Sequence, residues 1–304
     1  MSDTFKILIA YDGSNFADAA LDDLRSAGLP QTVEALVLCV AEVWLPPQKN
    51  GEPPVFVVPE LKAHYEENLE VFAAARDLAE AAARRVGTMF PNWTITAEAT
   101  YGSAAWEILF RAEDFKPDLI VVGAQGVVGL KELLIGSVAQ KIVTEAPCSV
   151  RVARGRVEVE PSPARLIVGY DGTAGADRAV ASIAERQWAP GTEVRVVLVQ
   201  DTALIRKSFE IEDEHVERIG RSVADRLEGA GLKASLAIVE GNPKSLIVGE
   251  AKTFGADAIF LGATRFDDVL TKYLLGSVAS AIVTRAHCSV EIVRGKRGQD
   301  FKIP

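Results

Sequence analysis

A short stretch between two apolar segments carries residues suited to holding an anionic ligand. It reads GAQGVVGLKELLIGS, residues 123–137, and it has three glycines within seven residues before it ends in Gly136-Ser137. Glycine is costly inside regular structure, so this density predicts a loop whose backbone approaches something closely. Free backbone N–H groups at the start of a helix bind phosphate, and the Ser137 hydroxyl adds a donor there. The stretch therefore predicts an anion site.

Two residues earlier in the chain could complete a nucleotide site. Asp12 follows the apolar run KILIAY, and Val40 ends the apolar run EALVLCV. Ligands of open parallel sheets bind beyond the carboxyl ends of the strands, where the strand order reverses. There Asp12 could accept hydrogen bonds from ribose hydroxyls or an adenine amino group, and Val40 could form an apolar wall. Plainer roles stay open: Asp12 and the glycines could serve tight turns, and Ser137 could cap a helix.

The elements that must position these residues alternate between strand and helix. KILIAY is a continuous apolar run of the buried parallel-strand type, and Ser14 can cap the helix after it. Long helical segments follow at about residues 60–86 and 104–115, and the run DLIVVG delivers the chain to the glycine stretch. Such alternation with short connections indicates a parallel sheet covered by helices on both faces. We predict an α/β, Rossmann-like, doubly wound unit of five strands.

The unit occurs twice. FKILIAYDGS at residues 5–14 returns as ARLIVGYDGT at 164–173, and LIGSVAQKIVTEAPCSVRVARG at 134–155 returns as LLGSVASAIVTRAHCSVEIVRG at 274–295. The offset between copies falls from 159 to 140 residues, so the first copy carries an insertion, which we place at residues 43–60. We predict domain 1 at residues 1–154, a linker at 155–163 and domain 2 at 164–295.

Composition narrows the class of protein. The 304 residues include 48% hydrophobic and 25% charged residues, which is typical of a globular chain, and the formal net charge of −9 argues against general nucleic-acid binding. No apolar run reaches the length of a membrane span, so we expect no membrane association and a cytoplasmic location. The three cysteines and three histidines are scattered, without metal-ligand spacing, and we expect packing or surface roles for them.

The glycine stretch resembles a known signature. Gly123-x-x-Gly126, nine residues and Gly136-Ser137 are similar to the G-2x-G-9x-G-(S/T) pattern of ATP-binding members of the universal stress protein family. YDGS and APCSV also stand where that family has its first-strand Asp and its last strand, and the resemblance covers nearly the whole chain, once per copy. It implies ATP, with or without Mg²⁺, at the carboxyl edge of the sheet. The binding positions that it implies in domain 1 are Asp12, Val40, Gly123, Gly126, Gly136, Ser137 and Val138.

The second copy departs from the signature. In GATRFDDVLTKYLLGS, residues 262–277, Arg265 replaces the second glycine, and ten residues instead of nine precede Gly276. Asp267 and Asp268 would put negative charge beside the phosphates, although Arg265 could supply a cationic donor. We therefore expect about one nucleotide per chain. The corresponding positions in domain 2 are Asp171, Val199, Gly262, Arg265, Gly276, Ser277 and Val278.

The resemblance also implies an arrangement of the copies and a class of function. The family's last strands commonly pair across a dimer interface, so residues 148–154 and 288–294, which we interpret as apolar edges, could pair within one chain as a pseudo-dimer, with a further homodimer open. The function implied is an ATP-binding stress-response regulator with a protein partner that remains unknown. A nucleotide-independent interaction module and a slow ATPase remain alternatives. The sequence contains neither a Walker motif nor a recognisable nucleophile with its base.

Overall fold

The structure of the chain is a computed structural model, and it describes residues 4–46, 54, 56, 58–125, 135–154, 163–200, 213–263 and 275–295. Half of the predicted insertion at residues 43–60 and most of the predicted linker lie outside these ranges. So do Gly126 in the first glycine stretch and Arg265, Asp267 and Asp268 in the second.

Domain 1 alternates strands and helices in the predicted order. Its strands are β1 (Phe5–Ala10), β2 (Val33–Ala41), β3 (Thr94–Tyr101), β4 (Leu119–Gly123) and β5 (Ser149–Ala153). Its helices are α1 (Asn15–Asp23), α2 (Pro59–Met89), α3 (Ala104–Phe115) and α4 (Ser137–Glu145). The start of α1 follows from its sequence, because the Ser14 hydroxyl accepts a hydrogen bond from the Ala17 N–H at 3.1 Å.

Domain 2 repeats this succession. Its strands are β6 (Arg165–Tyr170), β7 (Glu193–Gln200), β8 (Lys233–Glu240), β9 (Ala258–Gly262) and β10 (Ser289–Val293). Its described helices are α5 (Ala174–Ala184), α6 (Asp213–Gly229), α7 (Pro243–Phe254) and α8 (Ser277–Arg285). Thr173 caps α5 as Ser14 caps α1, since its hydroxyl accepts from the Ala176 N–H at 3.2 Å.

The two five-stranded halves form one continuous sheet of ten strands. Its order is β3-β2-β1-β4-β5-β10-β9-β6-β7-β8, and every pairing is parallel except the antiparallel pairing of β5 with β10. The predicted α/β fold of two doubly wound units and their pseudo-dimer through the last strands are confirmed. The edges that β5 and β10 would otherwise expose are satisfied within the chain, which removes a template for aggregation.

The two faces of the sheet differ at the centre of the molecule. On one face a single apolar cluster runs across both domains, with Val150 and Val152 of β5 beside Val290 and Ile292 of β10. On the other face each domain has its own apolar cluster. Alternation along β5 sends Arg151 to that second face, where it is fully buried. The expectation that both last strands are apolar was therefore wrong at one position in each, Arg151 and Glu291.

Candidate functional site

The candidate site of domain 1 lies at the carboxyl edge of its sheet, between β1 and β4. The strand order reverses there, because β2 and β3 lie on one side of β1 whereas β4 and β5 lie on the other. Ala10 of β1 is level with Leu38 of β2 and Val122 of β4. Asp12 lies two residues after Ala10, and Val40 lies two residues after Leu38. The parallel register therefore places Asp12 and Val40 side by side at the carboxyl edge of the sheet. The structure thus gathers these two predicted residues at a topological switch point, the usual ligand position of such sheets.

Asp12 occupies a tight turn and also presents an exposed carboxylate. Its Oδ1 accepts a hydrogen bond from the Ser14 N–H at 3.0 Å, and Gly13 adopts a positive φ of 74°. Burial, together with the nearby Asp12 charge, raises the pKa of Cys39 to about 12. The carboxylate therefore lies close to the end of β2, next to Val40. The turn and the ligand role are compatible, since a carboxylate can accept several hydrogen bonds.

Helix α4 begins at the same edge with backbone donors that have no partner among the described residues. The Gly136 N–H donates to the Ala124 carbonyl at 2.8 Å, and Gln140 is the first residue to donate within the helix, to the Gly136 carbonyl at 2.9 Å. The N–H groups of the three residues between them have no partner inside the helix. No side chain among the described residues caps α4, in contrast to α1 with Ser14. Ser137 is exposed and Val138 packs against the core, so the helix start is anchored and open to solvent.

The first glycine of the signature has a structural explanation of its own. A Cβ on Gly123 would lie 2.8 Å from the carbonyl oxygen of Phe16, in the first turn of α1. The backbone of β4 therefore approaches the backbone of α1 so closely that only glycine fits. The close approach predicted from the glycine density is present at this position, and its partner is a neighbouring helix. A contact between Gly123 and a ligand stays a prediction, as it does for Gly126.

Domain 2 reproduces this edge. Asp171 is exposed, and its Oδ1 accepts from the Thr173 N–H at 3.1 Å and from the Thr173 hydroxyl at 2.6 Å. Helix α8 begins after Gly276, whose φ and ψ of −60° and 150° are close to the −68° and 155° of Gly136. The exposed Ser277 and the core-packed Val278 and Val199 take the positions of their domain 1 counterparts.

Two substitutions make the second edge tighter than the first. Gly175 replaces Phe16 at the start of the helix, and a Cβ on Gly262 would lie only 2.0 Å from the Gly175 carbonyl carbon. Arg178 stands where domain 1 has Ala19, and its Nη2 donates to the Ala263 carbonyl at 3.2 Å. The loop after β9 is thus tied to α5 at its first residue, whereas Ala19 offers no such donor in domain 1.

The family profile described as "Universal stress protein family" matches residues 4–154 and again residues 164–294. The chain belongs to the universal stress protein family. It is therefore a protein of the stress-response class, and it carries the family's unit twice.

Two of the relatives align over about the length of one unit. The universal stress protein YxiE of Bacillus subtilis (strain 168) is 29% identical over 154 residues, which are 49% of this chain and 98% of that protein. A universal stress protein of Thermus aquaticus, named from the QAH/OAS sulfhydrylase 3' region, is 34% identical over 148 residues, 49% of this chain and 97% of that protein.

The tandem arrangement has a solved counterpart. The crystal structure of a universal stress protein from Archaeoglobus fulgidus DSM 4304 superposes with a TM-score of 0.67 at 18% identity, covering 96% of this chain and 99% of that one. At this identity the likeness concerns the fold, and it extends over both units.

Three general features of the described residues concern metal binding, membrane crossing and the cysteine thiols. No cluster of three or more His, Cys, Asp or Glu side chains able to hold a metal ion occurs among them. Within the same residues, no helix combines the length and the apolar character needed to cross a membrane. Burial raises the pKa of Cys148 and Cys288 to about 12, as at Cys39, so the three thiols are protonated at neutral pH.

Sequence reasoning missed the arginines that connect the domains at the far ends of α4 and α8. Arg294 donates through Nη1 to the Cys148 carbonyl at 3.2 Å and through Nη2 to the Val143 carbonyl in the last turn of α4. Its counterpart Arg154 reaches the Thr284 carbonyl of α8 at 3.5 Å. Burial lowers the pKa of Arg154, and its Nε and Nη1 form no hydrogen bond within the described part of the chain. The available signal was the repeated V-x-x-x-R-G ending, in which both copies have arginine before glycine.

Proposed function

We propose that this universal stress protein binds one ATP at the carboxyl edge of domain 1 and acts as a nucleotide-dependent regulator in the stress response. The observation that carries the proposal is the uncapped start of α4 at the strand-order switch point, beside the exposed Asp12 carboxylate. An unscreened helix start provides backbone donors and a positive dipole end for phosphate. Asp12 provides an acceptor for the ribose or the adenine amino group.

The residues present fit the group that the family implies. Phosphate requires donors without internal partners, and the first turn of α4 offers three such N–H groups with the Ser137 hydroxyl beside them. Adenine requires an apolar surface, and Val40 is partly exposed at the end of β2. ATP would bring its own charge, with or without Mg²⁺, and the chain would bind and orient it. Regulation follows if ATP binds one conformation or assembly more tightly than another.

The sharpest test removes one donor without disturbing the helix. Proline is favoured at the first helical position, and the extended conformation of Gly136 suits a residue before proline. Ser137→Pro therefore deletes the N–H and the hydroxyl while α4 keeps its start. Loss of a hydrogen bond to a charged group costs about 1.5–3 kcal/mol, so we expect ATP affinity by calorimetry to fall roughly 10- to 100-fold.

Matched variants separate the contributions to this effect. Ser137→Ala removes only the hydroxyl and should weaken binding less than Ser137→Pro. Ser277→Pro makes the same change at the start of α8, where Gly276 has the same conformation, and it should leave the affinity unchanged. An unchanged affinity in Ser137→Pro would reject the site. Identification of the small molecule released when the purified protein is denatured gives an independent check, and release of no adenine nucleotide together with no calorimetric binding would reject the function.

A second candidate function rests on an apolar pair on the surface of domain 1. Trp106 and Phe110 lie one turn apart on α3 and are 59% and 68% exposed. Their counterparts in domain 2 are Ser245 and Gly249. Large exposed apolar side chains are typical of protein-binding surfaces. This pair favours the interaction module, which would contact a partner protein with or without nucleotide, and Trp106→Ala should then weaken capture of that partner.

A further inference from the structure

Equivalent positions of the two repeats face each other at the centre of the molecule. Arg151 of β5 and Glu291 of β10 correspond across the repeat offset of 140 residues. In the antiparallel pairing Glu291 lies opposite Arg151, with Val290 opposite Val152 and Ile292 opposite Val150. The pseudo-twofold axis that relates the domains therefore passes through this pair. Any pairing of two identical domains in this register would place each of these residues opposite itself.

The facing pair belongs to a buried network of four charges. Arg151 donates to Asp23 through Nε at 2.5 Å and through Nη2 at 3.1 Å, and through Nη1 to Glu291 Oε2 at 3.3 Å. Arg186 donates to the same Oε2 at 3.0 Å and to Glu291 Oε1. All four side chains are at most 8% exposed. Each domain supplies one positive and one negative member, and within the described residues the contact that joins opposite charges across the interface is that of Arg151 with Glu291.

A steric contact beside the network has the same asymmetry. A Cβ on Gly28 would lie 2.7 Å from the indole ring of Trp188, and the Gly28 carbonyl accepts from the Gln187 N–H at 2.9 Å. By the repeat offset of 159 residues, Gln187 is the counterpart of Gly28, and Leu29 is the counterpart of Trp188. Two copies of domain 2 would bring a glutamine side chain to the place where only glycine fits against Trp188.

We propose that the Arg151–Glu291 pair and the Gly28–Trp188 contact make this interface selective for one domain 1 with one domain 2. Two copies of domain 1 would bury Arg151 against Arg151, and two copies of domain 2 would bury Glu291 against Glu291 and Gln187 against Trp188. Like charges in a desolvated interface oppose association strongly, which is a common source of partner selectivity. The surface fits the other domain of such a chain and rejects its own copy.

Partner choice can be measured on the whole protein cleaved after folding. A protease site placed within residues 155–162 would divide the folded chain into two halves of different mass. The halves are separated in urea, returned to buffer and counted as 1·1, 1·2 and 2·2 pairs by native mass spectrometry. Without selectivity, equal amounts of two equivalent halves give the proportions 1:2:1. We expect at least about nine-tenths of the wild-type pairs to be 1·2, as a preference of roughly tenfold or more would produce.

A variant that replaces the network by apolar residues sharpens the test. Buried ion networks can be exchanged for apolar side chains without loss of pairing. In Asp23→Leu/Arg151→Met/Arg186→Met/Glu291→Leu we expect 1·1 pairs to appear, while 2·2 pairs stay rare because Gly28 and Trp188 still discriminate. A control at an ion pair within domain 1, Glu98→Met/Arg111→Met, removes a 2.8 Å contact distant from the interface and should pair like the wild type. Wild-type proportions of 1:2:1, or unchanged selectivity in the apolar variant, would overturn the proposal.

A second measurement on the intact chain covers the case in which the separated halves do not refold. Urea unfolding of Arg151→Met, Glu291→Gln and the double variant forms a double-mutant cycle. Removing one member of a buried pair leaves an uncompensated charge, so each single change should raise the unfolding equilibrium constant about a hundredfold or more. In the double variant, the increase in the unfolding equilibrium constant should be at least about tenfold smaller than the product of the increases in the two single variants. Effects that multiply within twofold would mean that the facing charges do not act on one another, which contradicts the selectivity.

Discussion

The two domains share the carboxyl edge of the sheet but differ in the loop that must meet a nucleotide. In both, an exposed Asp follows the first strand and a helix begins after Gly-Ser with the same glycine conformation. In both, the first glycine of the loop is required by a neighbouring helix, more tightly at Gly262 than at Gly123. A glycine at that position is therefore explained by packing in both domains and does not distinguish the two proposed sites. In our proposal, the difference in nucleotide binding depends on the later residues of the loop, where domain 1 has Gly126 and domain 2 has Arg265. It also depends on the length of the loop.

The largest difference between the domains should appear in stability. Gly123→Ala introduces a Cβ at 2.8 Å from a backbone oxygen, and Gly262→Ala introduces one at 2.0 Å from a backbone carbon. Overpacking of this kind lowers the free energy of unfolding by about 1–3 kcal/mol. We expect the loss for Gly123→Ala to lie within that range and the loss for Gly262→Ala to lie at or above its upper end. Urea denaturation measures both.

Gly276→Ala is the matched control for these glycines. Its Cβ would have no atom of the described residues within 4 Å, and its φ of −60° is available to alanine. A change below about 0.5 kcal/mol is expected, as for open surface positions. Equal losses of stability in Gly123→Ala and Gly262→Ala would show that the two glycines are packed equally tightly against the neighbouring helices.

The next difference concerns the number of nucleotides bound. We expect intact chains to carry one ATP, held by domain 1, because the sequence of the second loop adds the negative charges of Asp267 and Asp268 and has no glycine at position 265. A like charge at close range costs on the order of 1 kcal/mol even at solvent-like permittivity. Native mass spectrometry gives the count. A uniform population with two ATP molecules per chain would remove the asymmetry and would mean that Arg265 replaces the missing glycine as a donor.

The smallest difference in stability between the domains is expected at a tyrosine–aspartate hydrogen bond that both domains contain. Tyr11 donates to Asp18 at 2.7 Å, and its counterpart Tyr170 donates to Asp177 at 2.9 Å. Burial raises the pKa of both phenols most, and the hydrogen bond to the carboxylate raises it further. The pKa of Tyr170 reaches about 12. A folded-state pKa above the unfolded value of about 10 means that this stabilisation is complete below pH 10 and is lost as the pH rises toward 12.

Phenylalanine at either tyrosine should reveal this stabilisation. Tyr11→Phe and Tyr170→Phe should each cost about 1 kcal/mol near neutral pH, the usual net contribution of one hydrogen bond. Each should also make the decline of the free energy of unfolding above pH 10 shallower. Thermal unfolding between pH 8 and 12 is the measurement, and clearly unequal effects would show that the two first turns are not equivalent.

The sequence predicts the fold well because its signals are local and repeated. Apolar runs such as KILIAY, the caps Ser14 and Thr173, and the repeat itself define strands, helix starts and domain number without long-range information. The pairing of the last strands followed from the resemblance to a family. The positions of Asp12, Val40 and Ser137 at one edge also followed, because the carboxyl ends of parallel strands share an edge.

Long-range contacts account for what the sequence did not reveal. That Gly123 packs against Phe16 depends on the approach of two backbones separated by more than a hundred residues. The burial of Arg151 depends on Asp23 and Glu291, which are remote from it in sequence. A charged residue in the middle of each last strand, SVRVA and SVEIV, was the visible signal. Its meaning requires knowledge of the antiparallel register, which places the two residues opposite each other.

Helix α4 connects the predicted nucleotide site directly to the second domain, both through its backbone and through its dipole. It is nine residues long, about 14 Å, with its open amino end at the site and the Val143 carbonyl of its last turn held by Arg294 from the other domain. A phosphate at one end and a guanidinium at the other both complement the same dipole, so each charge is favoured by the presence of the other. Helix α8 lacks an equally firm clamp, since Arg154 reaches it through one long hydrogen bond. Occupancy at the edge of domain 1 would therefore be coupled along this helix to the Arg294 contact of domain 2, and by linkage the Arg294 contact would strengthen phosphate binding by the same factor.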